Sequence, residues 1–114
     1  MVNGGNWNDT SGSGNNGTPV GGPAFVSGKI GQAGAFNGTS NYVNMGDMNN
    51  AIDGVSQFTI SFWMYDTFFS RNYTIPIGKY SSAAENWRVN TNGSGVMALN
   101  LSFSNTGYLS LIHI

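Results

Sequence analysis

Phe58-Thr59-Ile60-Ser61-Phe62-Trp63-Met64-Tyr65 alternates along its whole length. Successive side chains of an extended strand point to opposite faces. Phe58, Ile60, Phe62 and Met64 therefore share one wholly apolar face, while Thr59, Ser61, Trp63 and Tyr65 share a mixed one. β-Branched and aromatic residues fill the run and its period is two, which argues against helix. Gly54 and Ser56 precede it as turn signals, and Asp66-Thr67 follow. The stretch is expected to be a central strand, with Phe58, Ile60, Phe62 and Met64 in the core of a sheet packed on a second sheet.

The flanks read the same way. Trp87-Arg-Val-Asn-Thr91 alternates, with Trp87 and Val89 on one face. Asn92-Gly-Ser-Gly95 is a turn, and Val96–Phe103 answers as the partner strand, with Met97, Leu99, Leu101 and Phe103 on one face. The two are expected to form a hairpin. Tyr73–Lys79 reads as a strand; Pro76 has no N–H, which places it at a sheet edge or a bulge. On the other side, Ala35 to Met45 reads as strand, Asn37-Gly38 turn, strand. Phe25-Val26 and Ile30 are short apolar pieces between glycines. Residues 3–18 are Gly, Asn, Ser and Thr around one aromatic, Trp7. Composition favours a linker there; an ordered loop turned around a ligand or ion is the alternative. No segment shows three turns of helical periodicity. Many short strands with Gly/Asn turns imply an antiparallel sandwich or barrel.

The chain of 114 residues is long enough for one domain. Only 8% of residues are charged, against a typical ~25%. There are 17 glycines, and asparagine is about as frequent. Solubility must come from amides, hydroxyls and backbone, as in an extracellular β-protein with many turns. The net charge is −1, and the basic residues are Lys29, Arg71, Lys79 and Arg88. No basic patch exists to neutralise phosphates, so nucleic acid is not the expected partner. The absence of cysteine rules out disulfides, thiolate metal sites and thiol nucleophiles. No apolar run approaches the ~20 residues of a membrane helix, so membrane insertion is not expected. The polar start after Met1 does not read as a signal peptide, so for an exported module the export signal is expected elsewhere or lost.

Three landmarks occur in order: Asp9-Thr-Ser-Gly-Ser-Gly-Asn-Asn-Gly-Thr18; Gly28-Lys-Ile-Gly-Gln-Ala33 leading to Phe36-Asn-Gly-Thr-Ser-Asn-Tyr-Val43; and Phe58-Thr-Ile-Ser-Phe-Trp-Met64. Together they resemble the LamG-like group of concanavalin A-like lectin/glucanase domains over roughly residues 3–90. The resemblance implies an all-β, antiparallel jelly-roll β-sandwich, normally longer than this chain and here truncated at both ends. It implies a module of a larger protein, extracellular, on a cell surface or in a virion, that binds carbohydrate and in some cases calcium. The last six residues, Leu109-Ser-Leu-Ile-His-Ile114, match residue for residue the translation of one frame of a transposon mosaic-end sequencing adapter. The expected division is therefore a partial domain over 1–108 and an adapter-derived tail over 109–114, and His113 carries no functional argument.

The remaining inventory is poor in catalytic groups. Without His113 there is no imidazole base for a nucleophilic triad. Asp9, Asp47, Asp53, Asp66 and Glu85 are isolated in sequence, whereas glycoside hydrolysis uses two carboxyls facing one bond. A non-catalytic module is expected, with a glycan or surface polymer as partner. A structural spacer that contacts protein, or an accessory piece of a glycoside hydrolase, are the alternatives. The candidate ligand-binding residues are Trp63, Tyr65 and Trp87, since sugars need aromatic faces beside polar groups. Trp63 is expected to be buried beneath a loop or second layer; Tyr65 and Trp87 divide evenly between exposed platform and core edge. The candidate metal ligands are Asp9 and Asn15, supported by Asn16 and by carbonyls of the Gly12–Gly14 turn, because calcium takes six to eight oxygens. The competing reading makes Asp9 the acceptor of an Asx-turn.

Overall fold

The computed structural model describes residues 7–48, 57–66, 74–79, 86–91 and 97–102. The chain divides into two compact units, Met1–Trp63 and Met64–Ile114. The expected turn at 92–95, the loop at 81–85 and the tail at 109–114 lie outside the described residues.

The first unit contains β1 (Thr18–Val20), β2 (Ala24–Ser27), β3 (Gln32–Ala35) and β4 (Tyr42–Asn44). They form two antiparallel pairs, β1 with β4 and β2 with β3. The glycine-flanked pieces around Phe25 and Ile30 are thus the start and the tip of a hairpin. Ser27 faces Gln32 at its closed end, and the Gly28 N–H donates to the Gly31 carbonyl at 2.8 Å.

Asn37-Gly38 does not close a hairpin between β3 and β4, because those strands pair elsewhere. Asn37 instead organises a capped loop. Its Oδ1 accepts the backbone N–H groups of Thr39, Ser40 and Asn41 at 2.9–3.0 Å. Its own N–H donates to Asn41 Oδ1 at 3.0 Å, and Asn41 Nδ2 donates to the Gly21 carbonyl, tying the loop to the end of β1. Asparagine competes with regular ladders through such local bonds. The turn chemistry was legible; its use as a cap was not.

Trp7 is the organising side chain of this unit. Its ring lies 5.1 Å from Phe25 and 5.7 Å from Phe36, tilted at 35° and 47°. Phe25 faces Gly34 across the β2–β3 ladder. A Cβ at Gly34 would overlap Trp7 Cη2 outright and stand 3.0 Å from Phe36 Cε2. Gly34 is therefore the floor on which the indole rests. Tilted aromatic contacts of this kind add about 0.5–1.5 kcal/mol each beyond area burial.

The second unit contains β5 (Ile77–Lys79), β6 (Asn86–Thr91) and β7 (Met97–Ser102), in antiparallel order β5-β6-β7. The β6–β7 pair is the expected hairpin, with Trp87 opposite Leu101 and Val89 opposite Leu99. Of the strand expected over Tyr73–Lys79, only β5 is formed among the described residues; it begins after Pro76, which therefore lies outside the ladder, and its described partner is β6. β6 is the central strand of this sheet. In it Trp87 (8% exposed), Val89 (9%) and Asn90 (6%) are buried, while Arg88 is exposed.

The Phe58–Tyr65 stretch departs from expectation. No residue of 57–66 is in a strand, and the boundary between the units falls inside it. Its side chains still alternate in part: Phe58, Ile60 and Met64 are half-buried, and Thr59, Ser61, Trp63 and Tyr65 are exposed. Phe62 breaks the pattern at 41% exposure. Alternation follows from residue order, whereas a strand also needs a partner ladder. Where side chains are described, only Pro23, Trp87, Val89 and Asn90 are buried, so the expected core of Phe58, Ile60, Phe62 and Met64 is not found. The described protein is all-β, built from small antiparallel sheets.

Candidate functional site

The Gly/Asn/Ser/Thr stretch after Trp7 is an ordered loop, not a linker. The Gly17 N–H donates to the Trp7 carbonyl at 2.7 Å, so the ends of the loop meet. Inside it, Asp9 Oδ1 accepts the Ser11 N–H at 2.8 Å and Oδ2 accepts the Asn15 N–H at 2.9 Å. Asn16 Oδ1 returns the favour by accepting the Asp9 N–H at 2.9 Å. Gly12 and Gly14 take φ of 89° and 76°, which carry the chain around the carboxylate. The Ser11 hydroxyl and N–H, with the Asn15 N–H, lower the Asp9 pKa to about 2. Hydrogen bonds to a charged carboxylate favour that form.

This is the Asx-turn arrangement, with the Asp9 carboxylate accepting two backbone N–H groups. Both candidate metal ligands lie in the loop: Asp9 contributes its carboxylate and Asn15 its backbone N–H. Among the described residues no group of three or more His, Cys, Asp or Glu side chains gathers. An open hollow of about 370 Å³ adjoins the loop, lined by Trp7, Asp9, Asn15, Val43, Met45 and Met48 among others.

The three aromatic candidates part company. Trp63, expected to be buried, is 73% exposed. The Lys29 ammonium stands 5.9 Å from its ring centroid, within cation–π range. Lys29 comes from the tip of the β2–β3 hairpin, between Gly28 and Gly31. Tyr65, in the second unit, is 92% exposed. Trp87 is buried at 8% in the central strand of its sheet, which favours the core-edge reading over the exposed platform for this candidate ligand-binding residue. Neither the exposure of Trp63 nor the Lys29 contact was readable from the sequence. Lys29 and Trp63 are far apart in the chain, and no periodicity links them.

Among the described residues no helix is long and apolar enough to cross a membrane. The chain matches no protein-family model, no curated protein and no solved structure.

Proposed function

We propose that this chain is a non-catalytic carbohydrate-binding module of an extracellular, cell-surface or virion protein, built on the lectin-type jelly-roll sandwich that its motifs resemble. The observation that carries the reading is Trp63. A tryptophan exposed over 73% of its surface leaves a large apolar ring in water. Single exposed apolar residues are ordinary on protein surfaces; what favours the reading is that an indole this open is a flat apolar platform of the kind saccharide sites use beside polar groups. The C–H face of a pyranose ring is a suitable cover, because it offers apolar contact with hydroxyls at its rim. Glycine, asparagine and serine around the loops supply small polar neighbours without bulk.

The test is affinity electrophoresis of the full chain through gels containing soluble polysaccharides of differing composition. Retardation by at least one polysaccharide is expected, abolished by Trp63→Ala and retained in Thr59→Ala, an exposed control on the same stretch. Migration unchanged in every gel, or retardation that survives Trp63→Ala, would overturn the assignment.

A further inference from the structure

We infer that Asn37 is a site of spontaneous covalent modification: the backbone nitrogen of Gly38 closes on the Asn37 side-chain amide, ammonia leaves, and the cyclic imide opens to aspartate and isoaspartate. The fold directs this reaction to Asn37 and away from Asn16, the other asparagine followed by glycine among the described residues. The reaction needs no ligand and no co-reactant but water.

Both asparagines are exposed, and two features separate them. The first is the nucleophile. The Gly17 N–H is donated to the Trp7 carbonyl at 2.7 Å, and a Cβ at Gly17 would overlap Val43 Cγ1, so that nitrogen is held and hemmed in. Gly38 is exposed, a Cβ there would meet nothing within 4 Å, and among the described residues nothing accepts its N–H. The second is the electrophile. Asn37 Oδ1 accepts the N–H groups of Thr39, Ser40 and Asn41 at 2.9–3.0 Å. That oxygen gathers negative charge as nitrogen adds to Cγ, so the three donors form an oxyanion hole already in place. Asn37 Nδ2 donates to Ser40 Oγ at 3.0 Å, and the same hydroxyl stands where the departing nitrogen needs a proton. Asn16 Oδ1 accepts a single N–H among the described residues, that of Asp9 at 2.9 Å.

The atoms balance as one water consumed and one ammonia released. Hydroxide takes the Gly38 amide proton, the N–Cγ bond forms, and the carbonyl electron pair moves onto Oδ1. Collapse restores the carbonyl and breaks the Cγ–Nδ2 bond. Water then opens the imide at either C–N bond. One opening gives aspartate, which keeps an acceptor for the three N–H groups. The other gives isoaspartate, which routes the backbone through the former side chain and removes the cap.

The experiment incubates the full chain in mildly alkaline buffer, with and without guanidinium chloride, and follows each site by peptide mapping. Trypsin cuts after Lys29 and Arg71, so Asn16 and Asn37 fall on different peptides. Electron-transfer fragmentation locates the converted residue and separates aspartate from isoaspartate. Without denaturant Asn37 is expected to convert about tenfold or more faster than Asn16, each tenfold being one 1.36 kcal/mol step in barrier. In denaturant the two rates should converge, with Asn16 speeding up and Asn37 not. Equal rates without denaturant, an Asn37 that converts faster once unfolded, or aspartate formed without isoaspartate would each overturn the assignment.

Discussion

Gly34 is the position at which a single methyl group should have the largest readable effect. Its Cβ would overlap Trp7 Cη2 and crowd Phe36, so alanine there must lift the indole off the β2–β3 hairpin. Gly34 does not occupy the left-handed region, so alanine brings no backbone strain of its own. Overpacking a fitted contact costs about 1–3 kcal/mol. Losing the Trp7–Phe25 and Trp7–Phe36 contacts would by itself cost about 1–3 kcal/mol. These are two views of the same displacement, so the expected destabilisation of Gly34→Ala is about 2 kcal/mol. In a Trp7→Ala background the obstruction is gone. There Gly34→Ala should be neutral or stabilise by up to about 1 kcal/mol, by restricting the unfolded chain. Urea denaturation of the wild type, both single variants and the double variant gives the coupling energy directly. Equal costs of Gly34→Ala in the two backgrounds would show that Trp7 does not rest on Gly34.

Three further outcomes follow from the hydrogen bonds of the first unit. The pKa of Asp9, about 2, lies below its ordinary value of 3.8, so its support for the loop is complete above pH ~4 and fades as pH falls through about 2; an NMR titration placing Asp9 near its ordinary value would contradict this. Asn37→Ala leaves the N–H groups of Thr39, Ser40 and Asn41 without their shared acceptor and should cost on the order of 1–2 kcal/mol, whereas Asn37→Asp, which keeps that acceptor, should cost less than the alanine variant at neutral pH; thermal melts ranking the two variants the other way would refute the cap. If Asp9 serves only as the Asx-turn acceptor, adding chelator and then calcium leaves the melting temperature unchanged; a rise with calcium would support Asp9 and Asn15 as ligands instead.

Residue order was sufficient for features that depend on near neighbours. Trp87–Thr91, the turn residues after it and the apolar alternation that follows pointed to a hairpin, and β6 pairs with β7. The Asx-turn was one of two readings open for Asp9, and its carboxylate does accept the Ser11 and Asn15 N–H groups, because a short acceptor acts locally. Features that need a distant partner were out of reach. Phe58–Tyr65 has the alternation of a central strand, but a ladder also requires another segment beside it, and β6 holds the central place in its sheet instead. The fate of the tryptophans turned on the same point: Trp87 is buried in the central strand of its sheet, Trp7 is seated because Gly34 lacks a side chain, and Trp63 remains in solvent beside Lys29. Burial is a property of what the rest of the chain places over a residue, and no local pattern encodes that.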